Sequence, residues 1–346
     1  MLLNELAMGF YSTLLPIYIA SLGASPGQVG LVIGMQGVVR LLFLAPSGWL
    51  ADRIPLGRLI PVTRAMTAVG VLLYSVAGTW WHLLPIIALA SIGNIAFPAI
   101  SKVIADSSDD NGRTRAFTLI YTVGPSTALL LSPTLGGVIG EVISLRAVFV
   151  AAAIAQAASV VCFMRLRVQD SSSSSSSGGG GYVDVLRFRP IIAVCSLFLF
   201  MLLVLTVGFT LVPNFLQDEH GVSVRTIGLF GSVFAVGAVV LGLVIARVPR
   251  FSRPMDALVL TTAVTPLAFV FLLLGSSTPM FAMSYFCRAG YLVGWGVVYA
   301  VLGEVTPSHL RSRSFAMAEL LGGFGFAVAP FIAGALYEVD PALPLV

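Results

Sequence analysis

The amino-acid sequence predicts an all-α, polytopic membrane protein. Hydrophobic residues make up 58% of the 346-residue chain, and charged residues make up only 10%. Soluble globular domains carry about 25% charged residues, so this chain has too few charges to cover a water-exposed surface. The mean hydropathy is +0.98. The apolar residues fall in eleven segments of roughly the 20 residues that a transmembrane helix needs, without the alternating pattern of a membrane β-barrel.

These apolar segments predict eleven spanning helices. They cover approximately residues 3–22, 27–50, 59–79, 83–104, 114–138, 146–166, 190–213, 224–246, 255–275, 280–303 and 312–337. Short polar loops join most of them, as expected for helices that cross a bilayer in alternate directions.

The positive charges predict the orientation of these helices. The chain has 19 Lys and Arg residues. With the N-terminus in the cytoplasm, 15 of the 19 lie in cytoplasmic loops or at cytoplasmic helix ends, whereas only Arg146 and Arg225 lie in outer loops. Such an excess marks the cytoplasmic side of a membrane protein. We therefore predict a multi-pass protein, of the cell membrane, with a cytoplasmic N-terminus.

The longest polar interval, residues 169–189, divides the chain into two halves. It contains seven serines, Ser171 to Ser177, followed by four glycines, Gly178 to Gly181. This composition is typical of a flexible tether, although a phosphorylated regulatory loop is an alternative. We predict an N-terminal six-helix bundle at 1–168, a cytoplasmic linker at 169–189 and a C-terminal bundle at 190–346.

The two halves repeat each other at a nearly constant distance along the chain. The matching features lie about 194 to 198 residues apart: Gly23-x-Ser25 with Gly221-x-Ser223, Gly48 with Gly242, Asp106 with Glu304, Arg113-x-Arg115 with Arg311-x-Arg313, Gly124 with Gly322, and Pro133-x3-Gly137 with Pro330-x3-Gly334. Six matches in the same order predict duplication of a six-span unit, which is a transporter architecture. The repeat places a twelfth span near 344–364. The sequence ends at Val346, so we expect five recognisable helices in the second bundle. Either the twelfth span has been lost, or the sequence is a fragment.

Two motifs carry a resemblance to a known family. Residues 48–58 read Gly-Trp-Leu-Ala-Asp-Arg-Ile-Pro-Leu-Gly-Arg, which resembles the signature loop between helices two and three of the major facilitator superfamily. The stretch Ser132-Pro133-x-x-Gly136-Gly137 is similar to the fifth-helix motif of its proton-coupled antiporters, with Ser132 in place of the leading glycine. The resemblance implies two bundles around a central cavity that transport by rocking against each other.

The first motif is a candidate for a conformational latch. By resemblance, the latch would hold the outward-facing state through Gly48, Asp52, Arg53, Gly57 and Arg58. A glycine permits close helix approach, and a carboxylate at a helix end can accept hydrogen bonds or pair with an arginine. The alternative interpretation is a topogenic loop with an ordinary helix cap.

Charged residues within spans are costly and are therefore candidates for a functional site. Arg40 lies near the middle of the second span, one turn from Gln36. At 1.5 Å per residue, Arg40 and Glu319 differ in depth by only about 5 Å, and the family resemblance implies that the second and eleventh helices are neighbours across the two bundles. We therefore predict that the two residues pair, directly or through water, in at least one state, with a static structural pair as the alternative. Glu319 is the first candidate for a proton-binding group, and Glu5 is a second, with an ordinary interfacial role as its alternative.

Further polar and aromatic residues fall within the spans. Arg288 is a candidate for contacting an anionic substrate group or for serving as a counter-ion. Amide and aromatic candidates for lining a cavity are Asn94, Phe97, Tyr121, Asn214, Tyr291, Trp295 and Tyr299. Interhelical packing or interfacial anchoring is the alternative for each of them. The fourth-helix arginine of the family's drug exporters is missing, because Leu89 and Ala90 occupy that region.

The remaining residue types argue against other classes of function. Lys102 is the only lysine, and there is no phosphate-binding loop motif. The three cysteines are isolated, and the three histidines lie in loops, so we predict no metal, no cofactor, no nucleic-acid partner and no enzymatic activity. We predict a monomeric secondary transporter of a small organic molecule, working by proton-coupled antiport or efflux. The alternatives are a sugar or organic-anion uniporter or symporter and a transporter-like sensor or scaffold that does not transport.

Overall fold

A computed structural model describes residues 2–96, 100, 124–165, 188–307 and 310–346. Within these ranges every regular element is helical, which confirms the predicted all-α class. The helices are α1 Leu2–Ser12, α2 Leu15–Ser21, α3 Pro26–Arg53, α4 Leu56–Tyr74, α5 Leu83–Ser91, α6 Gly124–Val142, α7 Leu145–Arg165, α8 Arg189–Phe209, α9 Val212–Asp218, α10 Val224–Arg247, α11 Pro254–Leu273, α12 Thr278–Val305 and α13 Arg311–Val339. Short 3-10 turns occur at Trp80–His82, Ile92–Ile95, Pro249–Ser252 and Leu343–Leu345.

Eight helical stretches of the described chain are long and apolar enough to cross a membrane. They are Pro26–Phe43, Leu56–Tyr74, Leu145–Arg165, Arg189–Asp218, Val224–Arg247, Pro254–Leu273, Thr278–Val305 and Arg313–Val339. The predicted fourth and fifth spans are described only in part, as Trp80–Ile95 and Ser126–Val142. Most of the predicted linker at 169–189 lies outside the described residues.

Prolines interrupt the first and the seventh predicted spans, where the sequence led us to expect continuous helices. A proline cannot donate to the carbonyl four residues earlier, and its ring clashes with that carbonyl. Counting back four residues from Pro16 and Pro213 gives Ser12 and Phe209, which are the last residues of α1 and α8. The repeat therefore reproduces the same break in both halves.

The starts of α3 and α10 also match. Ser25 accepts a hydrogen bond from the Gln28 backbone, and the Gln28 side chain accepts one from the Ser25 backbone, which forms a capping box. Ser223 caps α10 by accepting from the Thr226 backbone. The turn before each helix contains a glycine with positive φ, 84° at Gly23 and 61° at Gly221, a conformation that side chains disfavour.

Within the described residues the helices form two groups, and two helix pairs make the largest contacts between them. In the first half, α1 packs against α6 and α7, and α4 packs against α5 and α7. In the second half, α12 packs against α10 and α11, and α8 packs against α13. The pairs α3–α13 and α6–α10 join the halves. We call the end of the bundles at Arg165 and Arg189 the linker end and the opposite end the far end.

Candidate functional site

A cavity of about 410 Å³ lies where the two halves meet. Its lining combines polar side chains with apolar ones, and most of it comes from the first half of the chain. The polar lining residues are Asn4, Tyr11, Ser12, Gln36, Arg40, Arg64, Thr67, Tyr74, Ser91, Asn94, Gln156 and Thr206. The second half contributes Thr206, Phe326 and Pro330. This size and this mixed lining are typical of sites for small organic molecules.

Helical periodicity explains why α3 and α4 each present one polar stripe to the cavity. The α3 stripe consists of Ile33, Gln36, Gly37 and Arg40, and the α4 stripe of Arg64, Thr67, Val71 and Tyr74. Residues three or four positions apart lie on the same face of a helix. The predicted cavity residues Gln36 and Arg40 therefore share one face of α3, and Asn94, in the turn Ile92–Ile95, lines the same cavity.

A hydrogen-bond network at the cavity wall connects α1, α4 and α7. The buried Arg64 guanidinium donates to Oδ1 of Asn4, and Nε2 of Gln156 donates to the same oxygen at 3.2 Å. Nδ2 of Asn4 donates to Oε1 of Glu5 at 3.1 Å, so Glu5 adjoins the network without lining the cavity.

The roles of Arg64 and Gln156 were not predicted from the sequence. The charge pattern grouped Arg64 with the cytoplasmic loops and helix ends, whereas Arg64 lies two turns inside α4. The signal was present, because Arg64 follows an apolar run and Gln156 interrupts the sixth apolar segment.

An ion pair joins the two halves beside the cavity. Nη2 of Arg40 on α3 lies 3.7 Å from Oε2 of Glu319 on α13. The hydroxyl of Tyr299 on α12 donates to Oε1 of Glu319 at 2.6 Å. The side chains of Arg40 and Glu319 are 47% and 41% exposed, and Arg40 lines the cavity.

Exchanging the charges of this pair should restore part of the transport that either single reversal removes. We expect Arg40→Glu and Glu319→Arg each to lower the initial rate of flux at least about tenfold, because each places two like charges side by side. The combined variant restores the attraction, with the carboxylate at position 40 and the guanidinium at position 319. Initial rates in liposomes check this, and a double variant no faster than the slower single variant would contradict a direct pair.

Arg288 lies elsewhere, in a cage of aromatic rings. Its guanidinium carbon is 4.6 Å from the ring centre of Phe209, 5.3 Å from that of Phe234 and 5.8 Å from that of Tyr285. Such contacts stabilise a cation through the negative faces of the rings. Arg288 does not belong to the cavity lining.

The aromatic candidates on α12 pack within the second half. Trp295 contacts Phe198 edge to face at 4.9 Å and stacks on Phe326 at 5.8 Å. Tyr291 lies 6.5 Å from Trp295 between ring centres. Asn214 donates to the backbone oxygen of Pro16 across the halves at 3.3 Å. The candidates Phe97 and Tyr121 fall outside the described residues.

The two motif regions are placed differently. Arg53, Gly57 and Arg58 are exposed at the linker end. Gly48 and Asp52 fall in α3, but the structure does not describe the environment of the side-chain positions there.

The second motif lies in α6 at the contact between the halves. A Cβ at Gly136 would meet the backbone of Phe10, and one at Gly137 would lie 2.9 Å from Cα of Gly228. Pro133 adjoins the same contact, since a Cβ at Gly231 would lie 2.6 Å from the Cβ of Pro133. The small residues of this motif therefore let α6 approach α1 and α10 closely.

Comparison with known proteins gives matches across nearly the whole chain. A family model described as Major Facilitator Superfamily matches residues 1–212 and 193–340. The inner membrane transport protein YajR of Escherichia coli (strain K12) is 30% identical over 127 residues, which cover 37% of this chain and 28% of that protein. The putative multidrug resistance protein MdtD of Escherichia coli O1:K1 / APEC is 27% identical over 138 residues, which cover 40% of this chain and 29% of that protein. The matched part thus spans less than a third of these curated relatives.

Solved transporter structures share the fold. A crystal structure of the nucleoside transporter NupG superimposes with a TM-score of 0.77 at 14% identity, and covers 99% of this chain and 90% of that chain. A bacterial homolog of the human lysosomal transporter Spinster, inward-facing and occupied, gives a TM-score of 0.76 at 18% identity, with 98% and 80% covered. At these identities the likeness concerns the fold alone.

Proposed function

Because the chain belongs to the major facilitator superfamily, we propose that it is a secondary active transporter of a small organic molecule. Alternating access is the proposed mechanism, in which the two bundles rock about the central cavity. Proton-coupled antiport in the direction of efflux is the proposed mode. The name of the MdtD relatives, a putative multidrug resistance protein, supports efflux, and the similarity of residues 132–137 to the antiporter motif supports antiport.

The observation that carries this proposal is the ion pair between Arg40 and Glu319. The pair joins α3 to α13, so a movement of one bundle against the other lengthens it. Glu319 is the proposed proton-binding group of the transport cycle, because a carboxylate within a spanning helix is costly and usually functional. The separation of Glu319 from Arg40 is the proposed link between proton movement and the movement of the bundles.

The cavity favours a substrate with hydrogen-bonding groups. Its polar lining offers amides, hydroxyls and the guanidinium groups of Arg40 and Arg64. Guanidinium groups match carboxylates and phosphates in geometry, so uptake or facilitated diffusion of an organic anion, or of a sugar, is the second candidate function. A sensor or scaffold that binds without transport is the third.

Topology and assembly complete the proposal. We propose a monomer in the cell membrane with a cytoplasmic N-terminus, bundles at 1–168 and 190–346, and a cytoplasmic linker between them. The far end then faces outward and the linker end faces the cytoplasm. The lipid bilayer and protons are its other proposed partners, and no catalytic step, cofactor or nucleic acid is part of the proposal. Gly48, Asp52, Arg53, Gly57 and Arg58 form the proposed latch at the cytoplasmic end.

Flux measurements in liposomes test the proposal. Purified protein is reconstituted with a pH-sensitive dye inside, a pH gradient is imposed, and lipophilic cations, sugars and organic anions are added in turn. Faster dissipation with one class than in empty liposomes is expected, and it identifies the substrate class. Exchange of a labelled compound without proton movement would replace antiport with uniport. Binding without any flux would leave the sensor or scaffold.

A further inference from the structure

A carboxylate joins the two halves at the far end of the α3–α13 pair. Glu338 lies in the last turn of α13, opposite the first turn of α3. The hydroxyl of Ser25 donates to Oε1 of Glu338 at 2.6 Å, and the backbone N–H of Gly27 donates to the same oxygen at 3.0 Å. Glu338 thus satisfies an N–H group that the start of a helix leaves without an intrahelical partner.

The α6–α10 pair has the same contact. Glu141 lies in the last turn of α6, and its Oε2 accepts from the backbone N–H of Arg225 at 2.8 Å. Arg225 is in the first turn of α10. Glu141 and Glu338 are 197 residues apart, and Gly27 and Arg225 are 198 residues apart. The repeat therefore places one carboxylate on each of the two helix pairs that join the bundles.

Two physical effects make these contacts attractive. The first turn of a helix carries the positive end of the helix dipole, and it stabilises a nearby anion. Hydrogen bonds to an ionised group are stronger than those between neutral groups. Gly27 also leaves room for the carboxylate, because a Cβ there would lie 2.7 Å from Oε1 of Glu338.

The Glu338 contact lies far from the Arg40–Glu319 pair along α3. Arg40 follows Gly27 by 13 residues on α3, which corresponds to about 20 Å of helix. The two carboxylates therefore bridge the bundles at the far end, whereas the ion pair bridges them nearer the middle of the spanning helices.

We propose that Glu141 and Glu338 act as two symmetry-related clasps that hold the far end of the bundles closed and that both open when that end opens during transport. The role of the clasps rests on the alternating-access part of the proposed function, but not on the identity of the substrate. Breaking both clasps shifts the equilibrium toward the state that is open at the far end and closed at the linker end.

The size of the effect follows from the exposure of the carboxylates. Both glutamates are solvent-exposed, and water weakens such contacts. We expect Glu141→Gln or Glu338→Gln to shift the ratio of closed to open molecules by about three- to tenfold, because the amide retains an acceptor and loses the charge. The clasps share no residue, so the effects should multiply in the double variant.

Distances between spin labels measure this shift. Cys162, Cys195 and Cys287 are first replaced by alanine, and labels are then attached to cysteines introduced at Val76 and Leu274, which are exposed at the far end of each half. A second pair at Met164 and Met255 reports on the linker end, where both side chains are exposed.

In nanodiscs, the double glutamine variant should gain a population with a longer far-end distance and a shorter linker-end distance. The matched control is Glu219→Gln, which removes an exposed acidic group at the far end outside both clasps. Gly27→Ala should weaken the Glu338 clasp, leave the Glu141 clasp intact and give a smaller shift in the same direction. Ser25→Ala should act in the same direction, although it also removes the N-cap of α3. If the double variant does not yield well-folded protein, the four single substitutions supply the same test.

Three results would overturn the clasps: unchanged distances in the glutamine variants, an equal shift in Glu219→Gln, or far-end separation without closure at the linker end. Because the labels report conformation without substrate, the outcome is separate from that of the flux assay. A shift in distances with no flux of any compound would retain the clasps and remove the transporter proposal. Flux with unchanged distances would retain the transporter proposal and remove the clasps.

Discussion

Glu319→Gln should abolish proton-driven transport and preserve exchange of substrate across the membrane. Glutamine keeps the oxygen that accepts the hydrogen bond from Tyr299 but cannot take up or release a proton. We expect pH-driven flux to fall to the level of empty liposomes. Exchange of labelled for unlabelled substrate at equal pH should stay within about threefold of the wild-type rate, a factor that corresponds to less than about 1 kcal/mol.

The fold should tolerate this substitution. Glutamine has the shape of glutamate and keeps the acceptor for Tyr299, and Arg40 lines a cavity with other polar groups. We therefore expect only a small decrease in the melting temperature.

A matched control separates the role of Glu319 from a general charge effect. Glu304→Gln on α12 removes an exposed carboxylate outside the cavity and should leave both assays unchanged. Persistent pH-driven flux in Glu319→Gln would remove Glu319 from the proton pathway, and Glu5→Gln would then be the next variant to measure.

Gly228→Val should prevent the far end from closing and should reduce transport by at least about 100-fold, equivalent to about 2.7 kcal/mol. A Cβ at Gly228 would lie 2.5 Å from the backbone oxygen of Pro133 and 2.6 Å from Cα of Gly137. These are backbone atoms, so no side-chain rotation makes room for it. The helices α6 and α10 have to separate, and overpacking of this kind typically costs about 1–3 kcal/mol.

Gly242 on the same helix provides the matched control, because a Cβ there would meet no atom within 4 Å. Gly242→Val should transport at a rate close to wild type, which excludes a general effect of valine on α10. The measurements are flux in liposomes and the distance between labels at Val76 and Leu274. Near-normal flux in Gly228→Val would show that this close contact is not required in the transport cycle.

Composition and helical geometry explain why some tertiary features could be predicted. Residues in spanning helices have a depth that follows from counting along the chain at 1.5 Å per residue. The depths of Arg40 and Glu319 could therefore be compared before any coordinates, and the family resemblance supplied the neighbouring helices; the two groups lie 3.7 Å apart. The breaks at Pro16 and Pro213 follow proline geometry, but the sequence alone does not single them out, because Pro61, Pro133, Pro266 and Pro330 lie inside continuous helices.

Rotation about the helix axis and contacts between helices were not predictable in the same way. Depth alone does not show which neighbour a side chain faces, so Arg288 could not be assigned to its aromatic cage. For the same reason, the network of Arg64, Asn4 and Gln156 was missed, since these residues come from three separate helices and meet only through packing.

The sequence by itself determined that this protein is an all-helical, multi-pass membrane protein built from a repeat, because hydropathy, charge and periodicity are properties of residues in order along the chain. Only the tertiary structure decided which polar groups line the cavity, where Arg288 lies, and that Glu141 and Glu338 bridge the halves. Those features depend on the rotation and the close approach of helices that are distant in sequence, and packing between their surfaces sets both.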